Sequence, residues 1–422
     1  MSRNSQDGGS SGLAEARLLR VRAERGLDIL NVLLADVRYG LGPYATIYLM
    51  SQRGWDEASL ALAGVFGGVA GLVCQAPIGA AVDAIRSRRG LIAGAILVLA
   101  CTSAGVLVSS QLWHLAAAGV IGALAGIALS TALSAISLGI VGPDDFTRRA
   151  GRNEALFHAG SCGVNVLILA AAPFLGIGIA FFLLAAASAT SVVAVLAIPR
   201  AAIDDNLARG LTRQPMSQAE VRPLTEILRN RGLLVFAICG ALFHLANASM
   251  LGLVVQRAAR GPEGSAVQLA AASMIAAQLA MIATAMLAGR KADLWGRRPF
   301  FLAAFAALAV RGMLYTVSDA PGWTVFVQLL DGVGVGVFGA LFPVVVADLS
   351  RGAGHFNAAQ GAVGTVHLAG GLVSAPLANL IAVGVSYDWA FRTLSAIAFI
   401  GGVACWYWLA ETRPKPSRGG SA

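Results

Sequence analysis

Two stretches decide the fold: Gly79-Ala-Ala-Val-Asp83-Ala-Ile-Arg86-Ser-Arg88-Arg89 and Gly289-Arg-Lys-Ala-Asp293-Leu-Trp-Gly296-Arg297-Arg298. Each follows a long apolar run, opens on glycine, places an aspartate four residues later and ends in arginines. The two aspartates lie 210 residues apart in a chain of 422. A second match sets Arg152-Asn153 against Phe356-Asn357, and the Ala-Pro pair ending at Pro173 against the pair ending at Pro376. A repeat at half the chain length means that one structural unit is used twice.

The sequence around these stretches is apolar. Hydrophobic residues make up 57% of the chain and charged ones 13%, against roughly 25% charged in an ordinary soluble domain. The mean hydropathy is +0.72. Too few charged residues remain to cover a soluble surface of this size. Fifty glycines inside apolar runs suit membrane helices, which tolerate them. This composition excludes a soluble enzyme, a disordered chain and a disulfide scaffold. Cys74, Cys101, Cys162, Cys239 and Cys405 all sit in apolar runs without a C-x-x-C spacing, so they read as small core residues. No metal site and no cofactor is expected. The net charge of +9 is spread over many short loops, which argues for membrane topology and against nucleic acid.

Crossing about 30 Å of hydrocarbon at 1.5 Å per residue takes about 20 residues. Apolar runs of that length fall near 28–50, 58–82, 90–110, 114–141, 153–174 and 177–199, then near 232–255, 265–289, 299–318, 322–347, 357–384 and 388–410. The fold class is therefore all-α: a polytopic membrane protein of twelve helices in two six-helix halves. Residues 1–27 form an N-terminal tail, 28–199 the first half, 200–231 a central connection, 232–410 the second half and 411–422 a C-terminal tail. Glu220 to Arg231 is expected to form a short amphipathic surface helix. With the N-terminus inside, the cytoplasmic segments hold 25 basic residues and the outer loops only Arg53, Arg257 and Arg260. That asymmetry sets both termini in the cytoplasm of an inner or plasma membrane. The tail lacks the apolar core of a cleaved signal peptide.

The motif G-x-x-x-D-x-x-G-R-R/K between helices two and three, repeated between eight and nine, resembles the signature of the major facilitator superfamily. The resemblance covers the whole chain. The second copy matches closely, while the first has Arg86 where the family has glycine. The stretch Asp331-Gly-Val-Gly-Val-Gly-Val-Phe-Gly, with Arg311 before it and Phe356-Asn-Ala-Ala-Gln360-Gly after it, resembles a bacterial exporter-like branch without a known substrate. The resemblance implies that Asp83 meets the start of helix eleven and Asp293 the start of helix five. Gly79, Gly289 and Gly296 would shape these loops, with Arg88, Arg89, Arg297 and Arg298 completing a cytoplasmic charge network that gates the transporter. The alternative is that these charges only set topology.

Ionisable groups inside the spans carry the rest, because each costs at least ~2.5 kcal/mol near the bilayer centre unless paired or shielded. Asp36 and Arg38 lie two residues apart on helix one and project to opposite sides, so they cannot pair on one face. Arg311 and Asp331 lie at similar depth in the hairpin of helices nine and ten, either as a structural ion pair or as part of the site. His244 and Asn247 share a face of helix seven, and the resemblance makes helices one, four, seven and ten the cavity lining. His158, Asn165, Gln360 and His367 on helices five and eleven are further substrate or proton candidates. For each, an interhelical hydrogen bond is the competing reading. Gly334-Val-Gly336-Val-Phe-Gly339 matches a dinucleotide fingerprint, but inside an apolar span it reads as helix packing. The Ala-Pro-Phe-Leu-Gly run ending at Gly176 resembles the family's antiporter motif.

The function expected from these readings is secondary transport of a small organic molecule by rocking of two halves around a midplane site. No nucleotide-binding loop is present, so an ion gradient, here protons, is the expected driving force. Export is the first choice, and proton-coupled nutrient uptake the second. A non-transporting membrane sensor is the alternative from another class. An enzyme is not expected. The bilayer, a small-molecule substrate and the proton are the expected partners of a monomer.

Overall fold

The structure, a computed structural model, describes residues 4–37, 42–108, 111–211, 224–260 and 265–413. Regular structure among them is helical throughout. In the first half it comprises α1 (Asn4–Val37), α2 (Gly42–Arg53), α3 (Glu57–Ala84), α4 (Arg88–Val108), α5 (Leu112–Val141), α6 (Pro143–Leu175) and α7 (Ile179–Ala197). The second half comprises α8 (Leu224–Leu228), α9 (Arg231–Asn247), α10 (Met250–Ala258), α11 (Ser265–Trp295), α12 (Arg298–Leu314), α13 (Pro321–Leu349), α14 (Phe356–Gly384) and α15 (Tyr387–Trp408). Among the described residues, ten stretches are long and apolar enough to cross a membrane, with α9 and α10 counted as one. The other two expected spans correspond to the α1–α2 pair and to the 17-residue α12.

Three details differ from the sequence expectation. The N-terminal tail is helical from Asn4, because strong helix formers such as Ala14-Glu-Ala-Arg-Leu-Leu-Arg20 carry α1 back beyond the apolar run. Arg20 is held there by Glu24 at 2.8 Å and by Asp145, and these bonds, the Glu24 bond first, raise its pKa. The surface helix expected over 220–231 is described from Leu224 and ends at Leu228, while 220–223 lie outside the described residues. Asn230 then starts a separate helix, its side-chain oxygen accepting from Gly232 N–H at 2.8 Å. Finally, helix seven is not continuous: α9 ends at Asn247 and α10 starts at Met250.

The apolar surface points outward. Phe182 is 75% exposed and Leu380 74%, whereas polar Gln328, Asn357 and Ser374 are fully buried. Water would not leave such a surface uncovered, but a bilayer does. Exposed Trp389 at one end of α15, with Trp406, Tyr407 and Trp408 at the other, lie about 26 Å apart along the helix, near the spacing of two membrane interfaces. Asp56 caps α3 through 2.8 Å bonds from the Ser59 N–H and hydroxyl, which lower its pKa.

The chain forms two compact units. The first comprises residues 1–146, 156–224 and 352–365, and the second 147–155, 225–351 and 366–422. In the first unit α3 packs on α5, α5 on α4, α4 on α7 and α7 on α1. The second repeats the order, with α11 on α13, α13 on α12, α12 on α15 and α15 on α9. The glycine-rich run of α13 serves this packing. A Cβ on Gly336 would lie 3.0 Å from the Met281 carbonyl oxygen, and one on Gly334 2.8 Å from the Phe243 ring.

Candidate functional site

In the first unit, Asp83 stands at the end of α3 and is almost fully buried. Its Oδ1 accepts from the Asn357 main-chain N–H at 3.3 Å and from the Asn357 side chain at 2.8 Å, and its Oδ2 accepts from Ala358 N–H at 2.9 Å. Asn357 and Ala358 lie in the first turn of α14, whose N–H groups have no intrahelical acceptor. A carboxylate there satisfies them and faces the positive end of the helix dipole. Gly79, one helical turn earlier, makes the approach possible, since a Cβ would lie 2.9 Å from the Asn357 carbonyl carbon.

The second unit holds the related arrangement at the start of the 147–155 segment of α6. Asp293 accepts from the Thr147 hydroxyl at 2.9 Å and from Arg297 Nη1 at 2.5 Å. Arg297, itself buried, also donates to Thr147 Oγ1 at 2.9 Å and to Asp348 at 3.3 Å. Gly289 meets Gly151 as Gly79 meets Asn357, with a Cβ on Gly289 falling 2.8 Å from the Gly151 Cα. Gly296 turns the loop with φ +98°. In the first copy no glycine turn is made: Ile85 is extended (φ −80°, ψ 124°), and the loop runs one residue longer before α4. That is how Arg86 is accommodated.

The arginines anchor neighbouring helix ends. Arg88 pairs with Asp205 at 2.6 Å, and Arg89 donates to the Leu196 carbonyl at 3.1 Å and to that of Ile198. Arg298 donates to the Trp406 carbonyl and lies over the Trp406 ring at 5.1 Å. Both Arg89 and Arg298 thus bind the C-terminal carbonyls of the last helix of their half.

A buried polar cluster occupies the second unit. Arg311, 1% exposed, donates through Nη1 to Asp331 at 2.7 Å and to Asn247 at 2.6 Å, and through Nη2 to Gln328 at 3.1 Å. The Tyr315 hydroxyl donates to Gln328 Oε1, and Gln328 Nε2 donates to Asp331 Oδ2 at 3.0 Å. Helix spacing explains the set: Tyr315, directly after the end of α12, is one turn from Arg311, and Gln328 and Asp331 are one turn apart on α13. Asn247 comes from the last residue of α9, at the interruption of helix seven. There the Ser249 N–H donates to Ser374 Oγ at 3.1 Å, giving the interrupted backbone a partner on α14.

One turn before Asn247, the His244 ring lies 5.4 Å from that of His367. Phe236, Phe338 and Phe342 surround His367, whose Nε2 is buried without a hydrogen-bond partner. Gly240 leaves the space that this ring fills.

The structure thus brings Arg311, Asp331, Asn247, His244 and His367 into one unit. His158 and Gln360 lie in the other; Gln360 Nε2 is 3.4 Å from Asn357 Oδ1, and His158 is buried beside Phe157. Asp36 lies in the last turn of α1, and Arg38 lies outside the described residues. Asn357 stood out from sequence only as part of the repeat, and Thr147, Gln328 and Tyr315 not at all, since neutral residues give no signal without their partners. Glu154 was missed for another reason. The apolar run suggested a helix start near 153, but α6 begins at Pro143, so Glu154 lies about 16 Å along it. Its carboxylate takes the space beside Gly339.

Two apolar helical units that repeat one packing order, each with its motif aspartate holding a second helix, define a membrane transporter. The sequence profile of the Major Facilitator Superfamily matches residues 27–277 and 237–422, and the chain belongs to that family. An uncharacterized MFS-type transporter of Mycobacterium tuberculosis, found in two strains, is 43% identical over 412 residues, covering 94% of this chain and 97% of the relative. Among solved structures, the proton:xylose symporter XylE superposes with a TM-score of 0.70 at 14% identity, covering 95% of this chain and 97% of that one. The human organic anion transporter MFSD10 (TETRAN) does so with a TM-score of 0.66 at 14% identity, covering 92% and 99%. The fold they share is that of twelve helices in two halves.

Proposed function

We propose that this protein is a secondary active transporter that exports a small organic molecule across the cytoplasmic membrane in exchange for protons, as a monomer with both termini in the cytoplasm. The observation that carries the reading is the interruption of helix seven after Asn247, whose side chain joins the buried Arg311–Asp331 cluster. Interrupted helices with polar groups at the break mark the substrate site of secondary transporters. Asn247 and His244 lie at that level in the second half. The contacts of Asp83 with the start of α14 and of Asp293 with Thr147 act as latches that break and re-form as access alternates. The Ala172-Pro-Phe-Leu-Gly176 end of α6 and the exporter-like stretch around Asp331 favour export over uptake.

A flux screen in inverted membrane vesicles tests this. Uphill accumulation of a compound inside vesicles with an acid interior, lost when a protonophore collapses the gradient, is the expected result. Accumulation only in right-side-out vesicles would replace export with uptake, and flux indifferent to the pH gradient would remove the proton.

A further inference from the structure

We infer that the first unit carries a binding site for a phosphate group at the start of α4, built by Arg86, Arg88, Arg89 and Arg200. Its ligand is an anionic phospholipid headgroup or a soluble phosphate reaching the same face.

A cavity of about 120 Å³ opens there, lined by these four arginines, Ser87 and Asp205. That is well above the ~10–15 Å³ a single water needs, so a tetrahedral oxyanion has room. Asp205 is the only acid in the lining, and its carboxylate is engaged by Arg88 at 2.6 Å. The four guanidinium groups therefore leave an excess of three positive charges. Arg88 is 2% exposed, yet its Nε is buried with no hydrogen-bond partner. Arg86 and Arg200 are exposed and make no side-chain hydrogen bond among the described residues. Arg86 and Arg200 thus bring two guanidinium groups to the cavity with no acceptor from the described residues.

The repeat supplies the second observation. In the second half, the start of α12 is occupied by a carboxylate from the segment after the last helix. Glu411 accepts from Arg297 N–H at 2.8 Å and from Arg298 N–H at 3.2 Å. In the first half, the segment after the last helix of that half brings Arg200 to the start of α4. Among the described residues no side chain caps the first turn of α4. One half fills its helix start with its own anion, and the other surrounds the same place with guanidinium groups. Oriented N–H groups, the positive end of a helix and a cluster of arginines are the ingredients of phosphate recognition. The basic face of a membrane protein is also where anionic headgroups gather. The site is independent of what the protein carries.

The test uses the full chain purified in a neutral detergent, with thermal unfolding as the readout. Sodium phosphate is compared with sodium chloride at equal ionic strength, and dioctanoyl phosphatidylglycerol with dioctanoyl phosphatidylcholine. The midpoint of the wild type should rise by several degrees with phosphatidylglycerol, with phosphate or with both. A rise with the lipid alone assigns the headgroup, and a rise with phosphate alone assigns a soluble anion. In the Arg86→Gly/Arg200→Ala variant, the half-saturating concentration should increase at least roughly tenfold, as expected for loss of a charge-assisted bond. Arg86→Gln/Arg200→Gln keeps the side-chain bulk and should behave alike, whereas Arg290→Ala/Lys291→Ala in the second loop should leave the response intact. No rise beyond the chloride control, an equal rise with phosphatidylcholine, or an undiminished rise in both arginine variants would overturn the site.

Discussion

Gly151 and Gly289 meet backbone to backbone: a Cβ on Gly151 would lie 2.5 Å from the Gly289 Cα and 2.6 Å from the Ala285 carbonyl oxygen. The first glycine of the motif is thus a matter of helix separation, with no turn to make at that point. Gly151→Ala should force the two helices apart. In a background lacking the five native cysteines, a cysteine at buried Ala150 should then react with maleimide at least about tenfold faster than in the parent. Unchanged labelling would mean that the helices tolerate the methyl group and that the glycine is incidental.

Asp83 offers a graded test of the latch. Hydrogen bonds to a charged acceptor contribute about 1.5–3 kcal/mol each, and the helix dipole adds about 0.3–1 kcal/mol. Asp83→Asn keeps one acceptor oxygen without the charge, and Asp83→Ala removes both. Transport in vesicles should fall in the order wild type, Asn, Ala, while the amount of folded protein changes little. Equal activity of all three would reduce Asp83 to a topology signal.

The helix inventory, the repeat and the charged loops were legible in the sequence because hydropathy, spacing and basic residues each report on a single segment. The site was legible only in part. Arg311 and Asp331 stood out as charges in apolar runs, and Tyr315 and Gln328 lie one turn from them, but nothing in the sequence joins the two turns to each other or to Asn247 on α9. The interruption at Ala248–Ser249 carries no proline or glycine, and its backbone finds a partner on α14. Glu411 follows the last span as an ordinary tail residue, yet it caps α12.

The Arg311 cluster makes a prediction that a simple ion pair would not. Removing either charge leaves the other buried, at a cost of about 3–5 kcal/mol, so Arg311→Met and Asp331→Leu should each lower the yield of monodisperse protein. A charge swap should recover little, because Asn247 and Gln328 present oxygens to the guanidinium and would then face a carboxylate. The double variant Arg311→Met/Asp331→Leu should recover more than the swap, since burial of two apolar groups carries no charge penalty. Size-exclusion chromatography of fluorescent fusions measures this. Full recovery by the swap would show that the pair alone matters.

The last prediction concerns the proton. Asp36 lies on α1, four residues before the Gly40-Leu-Gly42-Pro43 stretch of the sequence. A dry environment favours the neutral carboxylic acid and a nearby guanidinium favours the carboxylate, so a carboxyl whose surroundings alternate binds a proton in one state and releases it in the other. Coupling requires that property, and a stretch rich in glycine with a proline is where a membrane helix bends and surroundings change. The competing role is a permanent ion pair that holds α1 in place. Asp36→Asn resembles the protonated form and separates the two. A coupling carrier predicts a folded protein that still exchanges substrate across the membrane down its gradient but no longer accumulates it against one when a pH difference is applied. A structural pair predicts loss of folded protein instead. Uphill transport at the wild-type rate in this variant would move the coupling role elsewhere, with Glu154 the next carboxylate to test.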